Sequence, residues 1–146
     1  MHKKGTEEEY REYYYYVLEA KLVLHEKIQV SIMTEFVENE GREAEKQDCE
    51  RNAAKRLMEK LKKEYPMLPV CICGDSLYAC ESFFEDCEKK RWKYILRYKQ
   101  GSIPSIYEEY REVKEIEKNG INTEKGRYDY VTDIEYRDEK VNVAEY

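Results

Sequence analysis

Residues 46–79, KQDCERNAAKRLMEKLKKEYPMLPVCICGDSLYA, decide the fold, because within them a helical hydrophobic period gives way to a short apolar run that ends on an acid. Cys49, Ala53, Ala54, Leu57, Met58, Leu61 and Tyr65 recur at the spacing that lines one face of a helix, while Arg51, Lys55, Lys62 and Lys63 fall mostly outside that stripe. Asp48 stands where an N-cap carboxylate would accept the first backbone N–H bonds, so a helix is expected from about residue 49 to residue 65. Pro66, which lacks an N–H and clashes with the preceding turn, stops it. The apolar run PVCICGDS, bounded by Pro69 and Gly74, has the length and flanks of a buried parallel strand between helices. Asp75 closes that strand at its carboxyl end.

Working outward, residues 13–24, YYYYVLEAKLVL, are rich in strand-forming types and place Tyr14, Tyr16, Leu18, Ala20, Leu22 and Leu24 on one face at period two. After a short connection at His25, Glu26 and Lys27, IQVSIMTEFV alternates through Ile28, Val30, Ile32 and Phe36, which predicts an antiparallel hairpin. A polar loop containing Gly41 covers residues 38–47. On the other side, Leu77, Cys80, Phe83, Phe84 and Cys87 form the inner face of a second helix, and WKYILRY at 92–98 reads as a strand. The order strand, strand, helix, strand, helix, strand is that of an α/β fold. Gly101 breaks the chain, and a third helix is expected over 104–118, with Pro104 near its first position and Ile106, Tyr107, Tyr110, Val113 and Ile116 inward. Asn119 and Gly120 end it. The tail alternates Tyr128, Tyr130, Thr132, Ile134 and Tyr136, turns near Asp138 and resumes as VNV, which predicts an edge hairpin outside the main sheet.

The balance of 40% charged and 41% hydrophobic residues in 146 lies within globular range, because the apolar residues are grouped with clear periods. No run reaches the length of a membrane helix, and residues 1–5 lack the apolar stretch of a signal peptide, so a cytoplasmic chain with no membrane partner is expected. Five cysteines are an odd number, and Cys71, Cys73, Cys80 and Cys87 fall inside apolar patterns, as reduced core thiols do. A zinc site made from those four is disfavoured by the absence of a C-x-x-C knuckle. The net charge of -6 weighs against simple nucleic-acid binding, but it is unevenly spread. Residues 42–102 hold 14 basic against 11 acidic side chains, a net of +3, and the segments on either side are acidic.

Asp75 is the residue singled out on physical grounds. Ligands of open α/β sheets bind at the carboxyl ends of strands, and a carboxylate there can hold a divalent cation. A local cap for the segment starting at Leu77 explains the same residue without any ligand. Glu35, Glu38 and Glu40 lie near a strand end and are candidate metal partners, although acids in such places are usually only solvated. His2 and His25 are isolated, so no hydrolase triad can be assembled, and no glycine-rich phosphate cradle occurs. Arg51, Lys55, Arg56, Lys60, Lys62 and Lys63 on the first helix could track a phosphate backbone together with Lys89, Lys90, Arg91, Lys93, Arg97 and Lys99. The same residues also suit an ordinary solvated face.

The stretches KQDCERNAAKRL and GDSLYA, followed by WKYILRYKQGS, resemble the catalytic region of insertion-sequence transposases with an Asp-Asp-Glu active site, and the likeness runs in order over about residues 13–105. The resemblance implies a partial ribonuclease-H-like fold over residues 1–102, a mixed sheet with flanking helices. It also implies that residues 103–146 begin the family's insertion region as a helix and β-hairpin. It makes Asp75 the second catalytic aspartate and a ligand of Mg²⁺ or Mn²⁺ in the complete enzyme, which cleaves and joins DNA at insertion-sequence ends. Arg51, Lys55, Lys62, Lys63 and Lys99 become candidate DNA contacts. The family's first aspartate has no counterpart in residues 1–13 and its final glutamate none before Tyr146, so the chain alone is expected to be inactive. Two other readings remain: an interaction protein derived from a transposase, self-associating or pairing with the intact enzyme, and a small metal-dependent α/β phosphoryl-transfer domain.

Overall fold

The computed structural model describes residues 15–25, 28–37 and 46–146. Among them the chain is mixed α/β, with three helices and three small sheets, and it divides into two compact units, residues 1–68 and 69–146. The start of the predicted first strand, the loop around Gly41, and Glu38 and Glu40 lie outside the described residues.

The first unit consists of β1 (Val17–His25), β2 (Ile28–Phe36) and α1 (Lys46–Glu64). The two strands form the expected antiparallel hairpin, but its phase differs from simple alternation. Ala20 pairs with Met33 and Lys21 with Ser31, so Ile32 is an extra residue on β2. Such a bulge reverses which side chains face inward beyond it. Met33 and Glu35 therefore join Leu18, Ala20, Leu22 and Val30 on one face, whereas Phe36, in step with Ile28 and Val30 by simple alternation, is left exposed opposite Val17. Helix α1 packs on β1 and β2 and buries Ala53, Ala54, Leu57 and Met58, four members of its predicted stripe. It begins at Lys46, so Asp48 lies inside its first turn and not at the cap; at the other end, Tyr65 is exposed.

The second unit opens with β3 (Cys71–Gly74), α2 (Glu81–Lys90) and β4 (Lys93–Leu96), a parallel pair joined by a helical crossover. The pleat turns Ile72, Tyr94 and Leu96 to one face and Cys71, Cys73, Lys93 and Ile95 to an exposed one. Helix α2 buries Phe83, Phe84 and Cys87, and Phe84 stacks on Tyr94 with ring centroids 4.7 Å apart. Thus Cys87 is a core thiol as expected, but Cys71 and Cys73 are not: two strands give β3 only one covered face. The single mixed sheet implied by the resemblance is not formed among the described residues, where β1–β2 and β3–β4 are separate two-stranded sheets.

A loop closed by Tyr98, whose hydroxyl donates to Ile103 O and accepts from Ile103 N–H, leads into α3 (Pro104–Glu117) with Pro104 in its first turn. The tail is a three-stranded antiparallel meander, β5 (Gly120–Thr123), β6 (Gly126–Tyr136) and β7 (Glu139–Glu145), one strand more than the predicted hairpin. Gly126 has φ 143°, and a Cβ there would come within 2.6 Å of the Tyr146 ring, so the β5–β6 turn requires glycine. Another bulge falls between Val131 and Ile134, where Asp133 adopts φ 60° and its N–H donates to Asn142 Oδ1 at 3.0 Å. It puts Val131 and Ile134 on the same face, so the alternation through Tyr128, Tyr130 and Thr132 does not mark the core. Helix α3 covers β6 with Ile106 and Tyr110, whereas Ile116, expected inside, is exposed.

Candidate functional site

Asp75 follows the last residue of β3, and the carboxyl end of β4 lies beside it, because Gly74 pairs with Leu96 and the Arg97 N–H donates to Gly74 O at 3.0 Å. A side chain at position 74 would meet Leu96 and the Tyr78 ring at 3.1 Å, so glycine allows this ledge to close tightly. The Asp75 side chain is exposed, and its Oδ1 accepts the Leu77 N–H at 2.9 Å. Its carbonyl accepts the Tyr78 N–H at 3.3 Å. The carboxylate therefore closes a turn over residues 75–78 and does not cap α2, which starts only at Glu81 with Cys80 in the cap position. One carboxylate oxygen is committed locally, and the residue stands where an open α/β sheet presents ligand-binding groups.

The fit to a divalent cation can be tested on the donor set. Among the described residues, no group of three or more His, Cys, Asp or Glu side chains is gathered as a metal site would need. The described residues therefore do not by themselves build the three-acid cage of the resemblance.

Glu35, the other acid expected near a strand end, has a different place. It is only 7% exposed and lies under α1, where it accepts from Arg56 Nε at 2.9 Å and from Lys60 Nζ. Arg56 also donates to Phe36 O at 2.9 Å. These bonds, first that of Lys60 and then that of Arg56, hold the Glu35 carboxyl below its ordinary pKa. Glu35 is thus the charged centre of an ion-pair network, and Arg56 and Lys60 are withdrawn from the basic surface predicted for α1. The pairing has no signal in the sequence, because the acid and its two cations lie on separate elements, 21 and 25 residues apart.

Of the candidate DNA contacts, Lys55 and Lys63 are exposed on α1, Arg51 is half-buried there, and Lys62 donates to Pro66 O at 2.8 Å. Lys99 is exposed after β4. Burial pushes the Cys87 thiol up to about 12, so it stays protonated and unreactive at neutral pH.

Comparison with protein-family models, with curated proteins and with solved structures finds no match for this chain.

Two clusters in the second unit had no signal in the sequence. Lys114 on α3 reaches Glu145 on β7 at 2.5 Å and Asp129 on β6 at 3.3 Å, and the Tyr110 hydroxyl donates to the same Glu145 oxygen at 2.9 Å. The Glu145 bond above all holds the Lys114 ammonium above its ordinary range, so the cluster is a tie between helix and meander. At the start of β7, burial first and Glu88 second raise the Glu139 carboxyl. An open groove of about 490 Å³ along α3 is lined by Tyr107, Arg111 and Glu112 among others, and Asp75 is not part of its wall. No described helix is long and apolar enough to cross a membrane.

Proposed function

We propose that this chain is part of an Asp-Asp-Glu transposase, that Asp75 is one of the three metal-binding carboxylates of the complete enzyme, and that the chain alone is inactive in DNA cleavage. What carries the reading is the position of Asp75: a solvent-facing carboxylate at the carboxyl end of a parallel strand, preceded by a hairpin and a helix and followed by a helix and a second parallel strand. That is the order in which the motifs KQDCERNAAKRL, GDSLYA and WKYILRYKQGS occur in the family they resemble. Two separate small sheets, each with apolar residues on an exposed face, also suit a ribonuclease-H-like core in which a further strand would join β1–β2 to β3–β4. Residues 103–146, a helix and an antiparallel sheet, would then open the insertion region. Lys55, Lys63 and Lys99 are the exposed cations best suited to follow a DNA backbone.

The test is to read the DNA on either side of these codons and to express the reading frame joined to it. The proposal expects codons for an Asp-Gly-Thr strand before the hairpin and for a late glutamate after residue 146. The joined protein should cleave its insertion-sequence ends with Mg²⁺ and lose that activity with Asp75→Asn. Flanking DNA without those acids, or full activity in Asp75→Asn, would refute it.

A further inference from the structure

In the complete enzyme proposed above, the free edge of β1 is the one that the joining strand would take; in the chain alone that edge is open to another partner. Among the described residues β1 pairs only with β2, so the hydrogen-bonding groups of its other side have no strand partner, and an isolated two-stranded ribbon is marginal in water. The two edges of this hairpin are not alike. The edge of β2 is interrupted by the Ile32 bulge, and Arg56 takes the Phe36 carbonyl at its end, two features that blunt an edge against further pairing. β1 has its own extra residue, Leu24, only beside the turn; from residue 17 to residue 23 it carries none, and Val17, Leu22 and Val23 expose apolar side chains along it.

We propose that this edge of β1 is an interface between two copies of the chain, paired antiparallel about a two-fold axis through Ala20. A two-fold axis perpendicular to a sheet must match residues of the same face, so it can pass only through a residue, and the sequence VLEAKLVLH then discriminates among registers. An axis at Glu19 sets Glu19 against itself, and an axis at Lys21 sets Lys21 against itself; like charges directly opposite destabilise a sheet. With the axis at Ala20, Glu19 meets the partner's Lys21 and Lys21 meets the partner's Glu19. On the same face Val17 meets the partner's Val23, and on the other face Leu18 meets the partner's Leu22. Both charged side chains are available, being 37% and 49% exposed and joined within one chain at 3.0 Å. The product is a four-stranded antiparallel sheet with β2 at each outer edge, where the bulge protects it. This inference does not rest on the transposase reading, since it uses only residues of the first unit.

The experiment is sedimentation equilibrium of the full chain over a wide concentration range. A mass that rises from 17.7 kDa toward twice that value is expected. Glu19→Lys and Lys21→Glu should each weaken association by roughly tenfold or more, because two opposite-charge contacts become like-charge contacts. An equimolar mixture of the two variants should associate again, since every charge then faces its opposite. A mass fixed at 17.7 kDa, single variants that associate undiminished, or a mixture that stays monomeric would each overturn the proposal. Should a single variant fail to fold by circular dichroism, the double variant Glu19→Lys/Lys21→Glu decides. It keeps the ion pair within the chain and is expected to self-associate but not to pair with the unaltered chain, and pairing between them would contradict the register.

Discussion

The hairpin with α1 and the meander with α3 are built from the same parts, an antiparallel sheet and one covering helix, yet they end differently. In the meander, Val131, Ile134 and Val141 are buried beneath Ile106 and Tyr110, and Lys114 ties the helix to two strands. In the hairpin, α1 covers the end near Glu35, while Leu22, Leu24, Ile28 and Val30 toward the turn are exposed. Three strands give a helix enough width to close a core, and two do not. Apolar content alone therefore does not decide which part of this chain is finished; strand number and bulge position do.

The largest expected effect separates these two regions with the same kind of truncation. Ile134, 1% exposed, should cost about 2–4 kcal/mol when replaced by Ala, because buried methylenes are lost and a cavity remains. Leu24→Ala, at a site 63% exposed, should cost less than about 1 kcal/mol. Urea unfolding of the two variants, followed by far-ultraviolet circular dichroism, measures both. Equal losses would mean that the hairpin tip is as well packed as the meander.

Next in size is the charge that anchors the hairpin to its helix. Glu35→Ala leaves Arg56 and Lys60 without their shared acceptor beside an apolar helix face. Both cations are partly exposed, so water can replace some of what is lost, and the cost should be about 1–2 kcal/mol, below that of a fully buried pair. The pH dependence has a definite sign. Glu35 is held below its unfolded pKa, so its contribution is complete above that unfolded value, about 4.3, and is lost as the pH falls through the lower, folded one. Glu35→Gln should therefore flatten the acid limb of the stability curve of the first unit; an unchanged acid limb would show that the pair contributes nothing.

Much of this architecture could be read from the residues, and the failures share a cause. Helix α1, with Ala53, Ala54, Leu57 and Met58 inside, and helix α2, with Phe83, Phe84 and Cys87 inside, follow from a 3.6-residue period that one helix expresses by itself. The parallel pairing of β3 with β4 follows from a short apolar strand on each side of a helix. What the local pattern misses depends on a second segment of the chain. The bulges at Ile32 and before Ile134 are set by the opposing strand, and each shifts the buried face by one residue, so the alternation through Phe36 and through Thr132 does not mark that face, and Met33 and Val131 take it instead. Cys71 and Cys73 look like core residues because β3 is apolar throughout, but a second covering layer is needed to bury both faces. β5 is not legible because it is four residues long and two of them, Gly120 and Asn122, are poor strand formers; it is held by its pairing with β6. At the candidate site, the place of Asp75 at a strand end was legible and its bond to Leu77 was one of the two readings offered. The Glu35 network was not, since its partners lie 21 and 25 residues away.

The smallest effect tests whether the meander, the better closed of the two regions, is also free of conflict. Glu139, at the start of β7, is half-buried and bonded to Glu88 of α2, with Glu85 adding a second negative charge. The nearby cations are engaged elsewhere: Arg137 with Glu81, Lys89 with Glu85, Lys90 with Asp86 and Lys140 with Asp133. Burial and like charge raise the folded-state pKa of Glu139 above its unfolded value. An acid shifted in this direction imposes no penalty while protonated in both states, and it destabilises the fold as the pH rises through the raised value. Glu139→Gln, which keeps the shape and can still bond to Glu88, should therefore stabilise the second unit at neutral pH by no more than about 1 kcal/mol. The gain should shrink as the pH falls through that raised value and vanish below about 4.3, where the native side chain is neutral in both states. Thermal unfolding midpoints across this range measure it. A variant less stable than the native chain at neutral pH would mean that the carboxylate of Glu139 is stabilised by its surroundings, and the seam between β7 and α2 would then be as well satisfied as the core behind it.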